Sequence, residues 1–79
     1  MQLNKLKIGS KAKIIAINDK CSIKRRLLDI GFTPGSIILA YLESPFKDPI
    51  AYKIKNAIIA IRKIDSKEIE VDELWKKLL

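Results

Sequence analysis

The amino-acid sequence predicts a mainly β domain: a small, strongly bent sheet or partly open barrel of about five strands with one short helix. Three observations predict it. Short runs rich in isoleucine alternate apolar and polar residues. Gly, Pro, Asn and Asp fall between those runs. A single segment, "SIKRRLLDIGF" at 22–32, carries helical spacing and its own stop signal. With 79 residues the chain makes one domain, 1–79, whose margin of stability is thin because so small a chain buries a modest share of its surface.

Leu3 and Leu6 are placed to close one helical or 3₁₀ turn over a core edge before a Gly-Ser turn at 9–10. "KAKIIAI" then reads as a strand, with Ala12, Ile14 and Ala16 on one face and Lys11, Lys13, Ile15 and Ile17 on the other. After the turn "NDKC", Ser22 is the expected helix cap. Ile23, Leu27 and Ile30 share one helical face, widened by Leu28; Leu27 and Ile30 are the expected core anchors. Gly31 can take the left-handed conformation that ends a helix, and Pro34-Gly35 turns the chain. About two turns of helix cannot stand alone, so this one must pack on the sheet.

"SIILAYL" is the second strand, followed by a loop with two prolines, "ESPFKDP". In "IAYKIK", Ile50, Tyr52 and Ile54 share one face; Tyr41 and Tyr52 are both expected in the core. "NA" reads as a tight hairpin turn with Asn56 at positive φ, "IIAIRK" as the return strand and "KEIEV" as a short last strand. In the tail "DELWKKLL", Asp72 is the expected cap of a helical extension over 71–79. Its Leu74, Trp75, Leu78 and Leu79 would form one apolar stripe. That stripe either folds back to close an open end of the barrel or docks on another molecule with Trp75 as anchor.

The chemistry available is sparse. There is no histidine and one cysteine, which excludes an internal disulfide, a Cys/His zinc site and any His-based triad. Cys21 lies at the helix N-terminus with no histidine base in the chain, so an inert reduced thiol is expected. Glu68, Glu70 and Asp72 make a carboxylate row best read as a solvated strand face. Three glycines, at 9, 31 and 35, do not make a phosphate loop. No enzyme activity, cofactor, catalytic residue or metal ligand is expected, which leaves a binding or regulatory module. Nothing approaches a membrane span or a secretory signal, and the lone cysteine suits a reducing cytoplasm. The net charge of +7 is uneven: residues 1–40 hold eight bases against two acids, and 41–79 eight against seven. Such a face attracts nucleic acid, an anionic membrane surface or an acidic protein.

The order of segments, "LNKLKIGSKAKI", "RRLLDIGFTPG", "DPIAYKIKNAIIAIR" and then "IEV", resembles the FeoA family of ferrous iron transport proteins over residues 3–71. The resemblance implies an SH3-like barrel and a cytoplasmic accessory or regulatory protein of ferrous iron uptake. It also implies protein–protein interaction with the cytosolic side of the membrane transporter FeoB. Where many members have glycine in the hairpin, this chain has Asn56-Ala57, and its tail runs past the family's last strand. The candidate contact residues are Arg25 and Arg26 off the helix's apolar face, Phe46 in the Pro-containing loop, and Trp75 and Leu78 in the tail. Self-association is a further role for the tail. The alternative readings are a nucleic-acid-binding barrel and the C-terminal domain type of iron-dependent regulators. Scattered aromatics argue against nucleic acid as the partner.

Overall fold

The structure, a computed structural model, describes residues 1–74 in full and the backbone of Trp75. A 3₁₀ turn at Leu3–Lys5 precedes β1 (Lys11–Ile17), α1 (Lys24–Asp29), β2 (Ile37–Glu43), β3 (Ile50–Ile54), β4 (Ala57–Ile61), α2 (Lys63–Ser66) and β5 (Ile69–Trp75). All strand pairs are antiparallel, in the order β4-β3-β2-β1-β5. The sheet is the predicted one, bent and not closed. One face carries the core, where Ile14, Ile38, Tyr52, Ile61, Ile69 and Val71 are all essentially inaccessible. Leu3 and Leu6 close an edge of that core through the 3₁₀ turn, as their spacing predicted.

Bulges account for where the strict alternation fails. In β1, Ile14 pairs with Val71 and Ala16 with Glu70, so Ile15 is an extra residue. The extra residue switches the faces: Ile17 turns inward, while Ala16 and Ile15 face solvent. In β2, Tyr41 is the extra residue between the Ala40–Tyr52 and Leu42–Ala51 pairs. It is therefore exposed, whereas Tyr52 is buried as expected.

The short helix is held as predicted by Leu27, which is fully buried, and closed by Gly31 at φ +91. The Gly31 N–H donates to Leu28 (3.1 Å) and the Phe32 N–H to Leu27 (2.9 Å), the paired bonds of a Schellman ending. That ending sends Phe32, not Ile30, into the core: Phe32 is inaccessible and Ile30 is 43% exposed. Ser22 does not cap α1, whose first position follows Ile23 without a side-chain cap. Its hydroxyl and its N–H donate instead to Asp65 Oδ1 (2.8 and 2.9 Å). Asp65 is buried on α2, a helical turn the sequence did not disclose, and its carboxylate must find donors there.

Two further expectations are corrected. In the β3–β4 hairpin the positive φ (51°) falls at Lys55, not Asn56. A two-residue hairpin loop needs positive φ at its first position, and that position is Lys55. The tail does not begin a helix at Asp72: residues 72–75 continue β5, with Asp72 opposite Lys13 and Trp75 opposite Lys11. Pairing with β1 supplies each hydrogen bond without the nucleation cost that a two-turn helix must meet. The continued strand bulges at Leu74, which is exposed. The remainder of the expected helical extension, with Leu78 and Leu79, lies outside the described residues.

Two outcomes follow from this packing. Leu27→Ala removes a fully buried side chain and should cost about 2–5 kcal/mol in chemical denaturation. Ile30→Ala, at a half-exposed position, should cost under about 1 kcal/mol; equal losses would contradict the helix ending. Burial pushes the Tyr52 phenol up to about 12 from its ordinary 10. Its neutral form therefore supports the fold fully below the unfolded value and that support fades as pH climbs towards the folded one. In a Tyr41→Phe variant, tyrosinate absorbance should rise only alongside unfolding in that alkaline window. A phenol ionising near its ordinary value in a still-folded protein would contradict this burial.

Candidate functional site

Helix α1 presents Arg25 and Arg26 on its solvent side, both exposed. Arg25 Nε sits 3.6 Å from Asp29 Oδ1, a loose i,i+4 pair with both groups in water, worth a few tenths of a kcal/mol at most. Lys24 Nζ lies 2.6 Å from Asp19 and holds that carboxyl below its ordinary value. Among the described residues Arg26 makes no ion pair. The two arginines thus face solvent largely uncommitted.

Phe46 is 90% exposed, at the tip of the β2–β3 loop. The loop is shaped by a Lys47 N–H bond to Ser44 O (2.8 Å), a positive φ at Lys47 and a cis Asp48–Pro49 peptide. Asp48 Oδ1 accepts the Lys63 N–H at 2.8 Å, pinning the loop to the start of α2. The β1–β2 and β2–β3 connections of an antiparallel sheet leave from opposite ends of β2. The structure therefore does not bring Phe46 together with Arg25 and Arg26. Trp75 ends the edge strand β5 opposite Lys11, and its side chain, like Leu78, is outside the described residues.

A basic surface emerges that the sequence reading missed. On the outer face of the sheet, one row runs Ile58, Lys53, Leu39, Lys11 across four strands, and the Trp75 backbone pairs beyond Lys11. A neighbouring row sets Ile37 beside Lys13 and Asp72. Lys11, Lys53 and Lys55 with Ile37 and Leu39 line a shallow hollow of about 240 Å³ that, among the described residues, holds no carboxylate. Lys53 Nζ also lies 5.9 Å from the Tyr41 ring centroid, within cation–π range. The signal was present in "KAK" and "KIK", but only the strand order, with β2 between β1 and β3, gathers the lysines.

The remaining groups are committed. Cys21 is buried, and burial pushes its thiol up, the opposite of an activated nucleophile. Glu70 meets the Met1 ammonium at 2.7 Å. Among the described residues no three His, Cys, Asp or Glu side chains are grouped to hold a metal ion. No helix of the described residues is long and apolar enough to cross a membrane.

Comparison with known proteins matches residues 1–73 to the family described as the FeoA domain. The chain is 32% identical over 72 residues to a putative Fe(2+) transport protein A of Campylobacter jejuni, covering 91% of this chain and 97% of that one. It is 31% identical over 72 residues to an Fe(2+) transport protein A/Fe(2+) transporter FeoB fusion protein of Porphyromonas gingivalis. That match takes in 91% of this chain but only 8% of the fusion protein. Among solved structures, a FeoA-like protein of Clostridium acetobutylicum superposes with a TM-score of 0.86 at 30% identity, over 100% of this chain and 92% of that one. FeoA of Stenotrophomonas maltophilia, described as an SH3 domain protein, superposes with a TM-score of 0.79 over 91% of this chain and 89% of that one. At 24% identity that likeness concerns the fold alone. With an SH3-like sheet and a family match across nearly its whole length, the chain belongs to the FeoA domain family.

Proposed function

We propose that this protein is a small cytosolic accessory protein of ferrous iron uptake that acts by binding a FeoB-type membrane transporter from the cytosolic side. The observation that carries the reading is the Porphyromonas gingivalis relative, in which a domain like this one and FeoB share one chain. A covalent link holds two domains at an effective concentration on the order of millimolar; a separate chain must reach the same partner by affinity. The surface supports that role. Two exposed arginines on α1 and a lysine-lined sheet face offer cationic contacts for an acidic protein surface. A sequence with no histidine and one cysteine has little with which to carry iron or protons itself.

Isothermal titration against the cytosolic domain of the FeoB-type transporter from the same cell tests the proposal. Saturable binding that weakens with salt is expected; no binding at low salt overturns it. The lysine-lined face also favours a second reading, a polyanion such as RNA. An RNA affinity that falls steeply with salt while the transporter domain fails to bind would select it.

The arginines supply a sharper expectation. Arg25→Glu with Arg26→Glu should leave thermal stability nearly unchanged, since both side chains are exposed. It should slow association with the transporter domain by roughly tenfold at low salt. An unchanged association rate would remove α1 from the contact surface.

A further inference from the structure

The two edges of the sheet are treated differently. Along β5 the N-terminal segment covers the edge: the Val71 N–H donates to Met1 O (2.8 Å), and Gln2 pairs with Glu70. Strand β4, at the other edge, is hydrogen-bonded to β3 alone among the described residues. Its sequence is Ala-Ile-Ile-Ala-Ile, without one polar side chain. Its five pairs with β3 run without a bulge, unlike the β1–β5 and β2–β3 ladders. An apolar, unpaired edge without a bulge is what folded proteins ordinarily avoid.

The register identifies the free groups. The two-residue loop makes Ile54 and Ala57 an exchanging pair, and exchange alternates along an antiparallel ladder. Ile58 and Ala60 therefore turn their N–H and C=O outward. Among the described residues, no backbone bond beyond the β3–β4 ladder reaches either one. Ile58 also exposes 56% of its surface beside them.

The flanking charges decide what fits. Lys53 and Lys55 stand at one end of this edge; at the other, Arg62 and Lys63 outnumber Asp48, whose carboxylate accepts the Lys63 N–H, so both ends are net basic and exposed. None of these cations forms an ion pair among the described residues. A second copy pairing antiparallel about Ile59 would set Lys55 against Lys63 of the copy, and Arg62 beside Asn56 of the copy. Like charges at both ends disfavour that pairing. We propose that the β4 edge is a strand-addition site for an extended segment of another protein, apolar at alternate positions and acidic at both ends, docked on the outward N–H and C=O groups of Ile58 and Ala60. The site stands apart from the arginines of α1 and does not depend on the transporter being the partner.

The probes are two synthetic peptides, EEVTVTVEE and its counterpart KKVTVTVKK, added to the intact protein. The acidic peptide should bind at least tenfold more tightly. It should slow amide exchange of Ile58 and Ala60 by tenfold or more, leaving Ile59 and Ile61, already paired with β3, little changed. Ala60→Pro deletes one outward N–H and none of the β3–β4 bonds, so it should weaken the acidic peptide at least tenfold. If that variant fails to fold, the exchange data on the unaltered protein decide. Three results overturn the proposal: Ile58 and Ala60 amides already slow in dilute free protein, peptide effects confined to α1 or to Lys11 and Ile37 with Ile58 and Ala60 unaffected, or a sedimenting dimer that protects these amides without peptide.

Discussion

The structure depends on the long-range pairing of β1 with β5, which joins residues near the two ends of the sequence. Closing a loop of some fifty residues is entropically costly, but the cost grows only slowly with length. The buried side chains Ile14, Ile17, Ile69 and Val71 gather across this seam to offset it. Once β1 is flanked by β2 and β5 it has no free edge, and α1 lies between strands whose positions are already set. The helix needs no stability of its own; Leu27 and Phe32 fill the space that the bent sheet leaves open.

A small core also explains the bulges. Five short strands must curve around a handful of large side chains, and an extra residue is the local means of bending a strand. Ile15, Tyr41 and Leu74 are those residues, and each ends up facing water. They leave the apolar pattern on the inside unbroken at the places where the sheet turns most.

Much of this was legible in the sequence because it depends on near neighbours. Alternation at Ile50, Tyr52 and Ile54, the burial of Leu27 and the helix stop at Gly31 all follow from local periodicity or local steric permission. The bulges were not legible, because a bulge is a relation between two strands and neither strand alone announces it. For the same reason Asp72 read as a helix cap: its tail is apolar at helical spacing, and the free edge of β1 that claims it is sixty residues away. The candidate site divides along the same line. The exposure of Arg25, Arg26 and Phe46 was readable residue by residue. Their separation to opposite ends of the sheet, and the gathering of Lys11, Lys53 and Lys55 into one hollow, required the strand order.

The hydrogen bond between Val71 and Met1 has a consequence for architecture. It lays the start of the chain along the outer edge of β5, the strand that carries the last described residue. A neighbouring domain joined ahead of Met1 would depart from that border. The helix α1 and strand β4 would stay open to a third molecule. A module whose entrance lies along one border can be joined to another domain there, or kept as a separate chain, without redesign of the surfaces it shows to others.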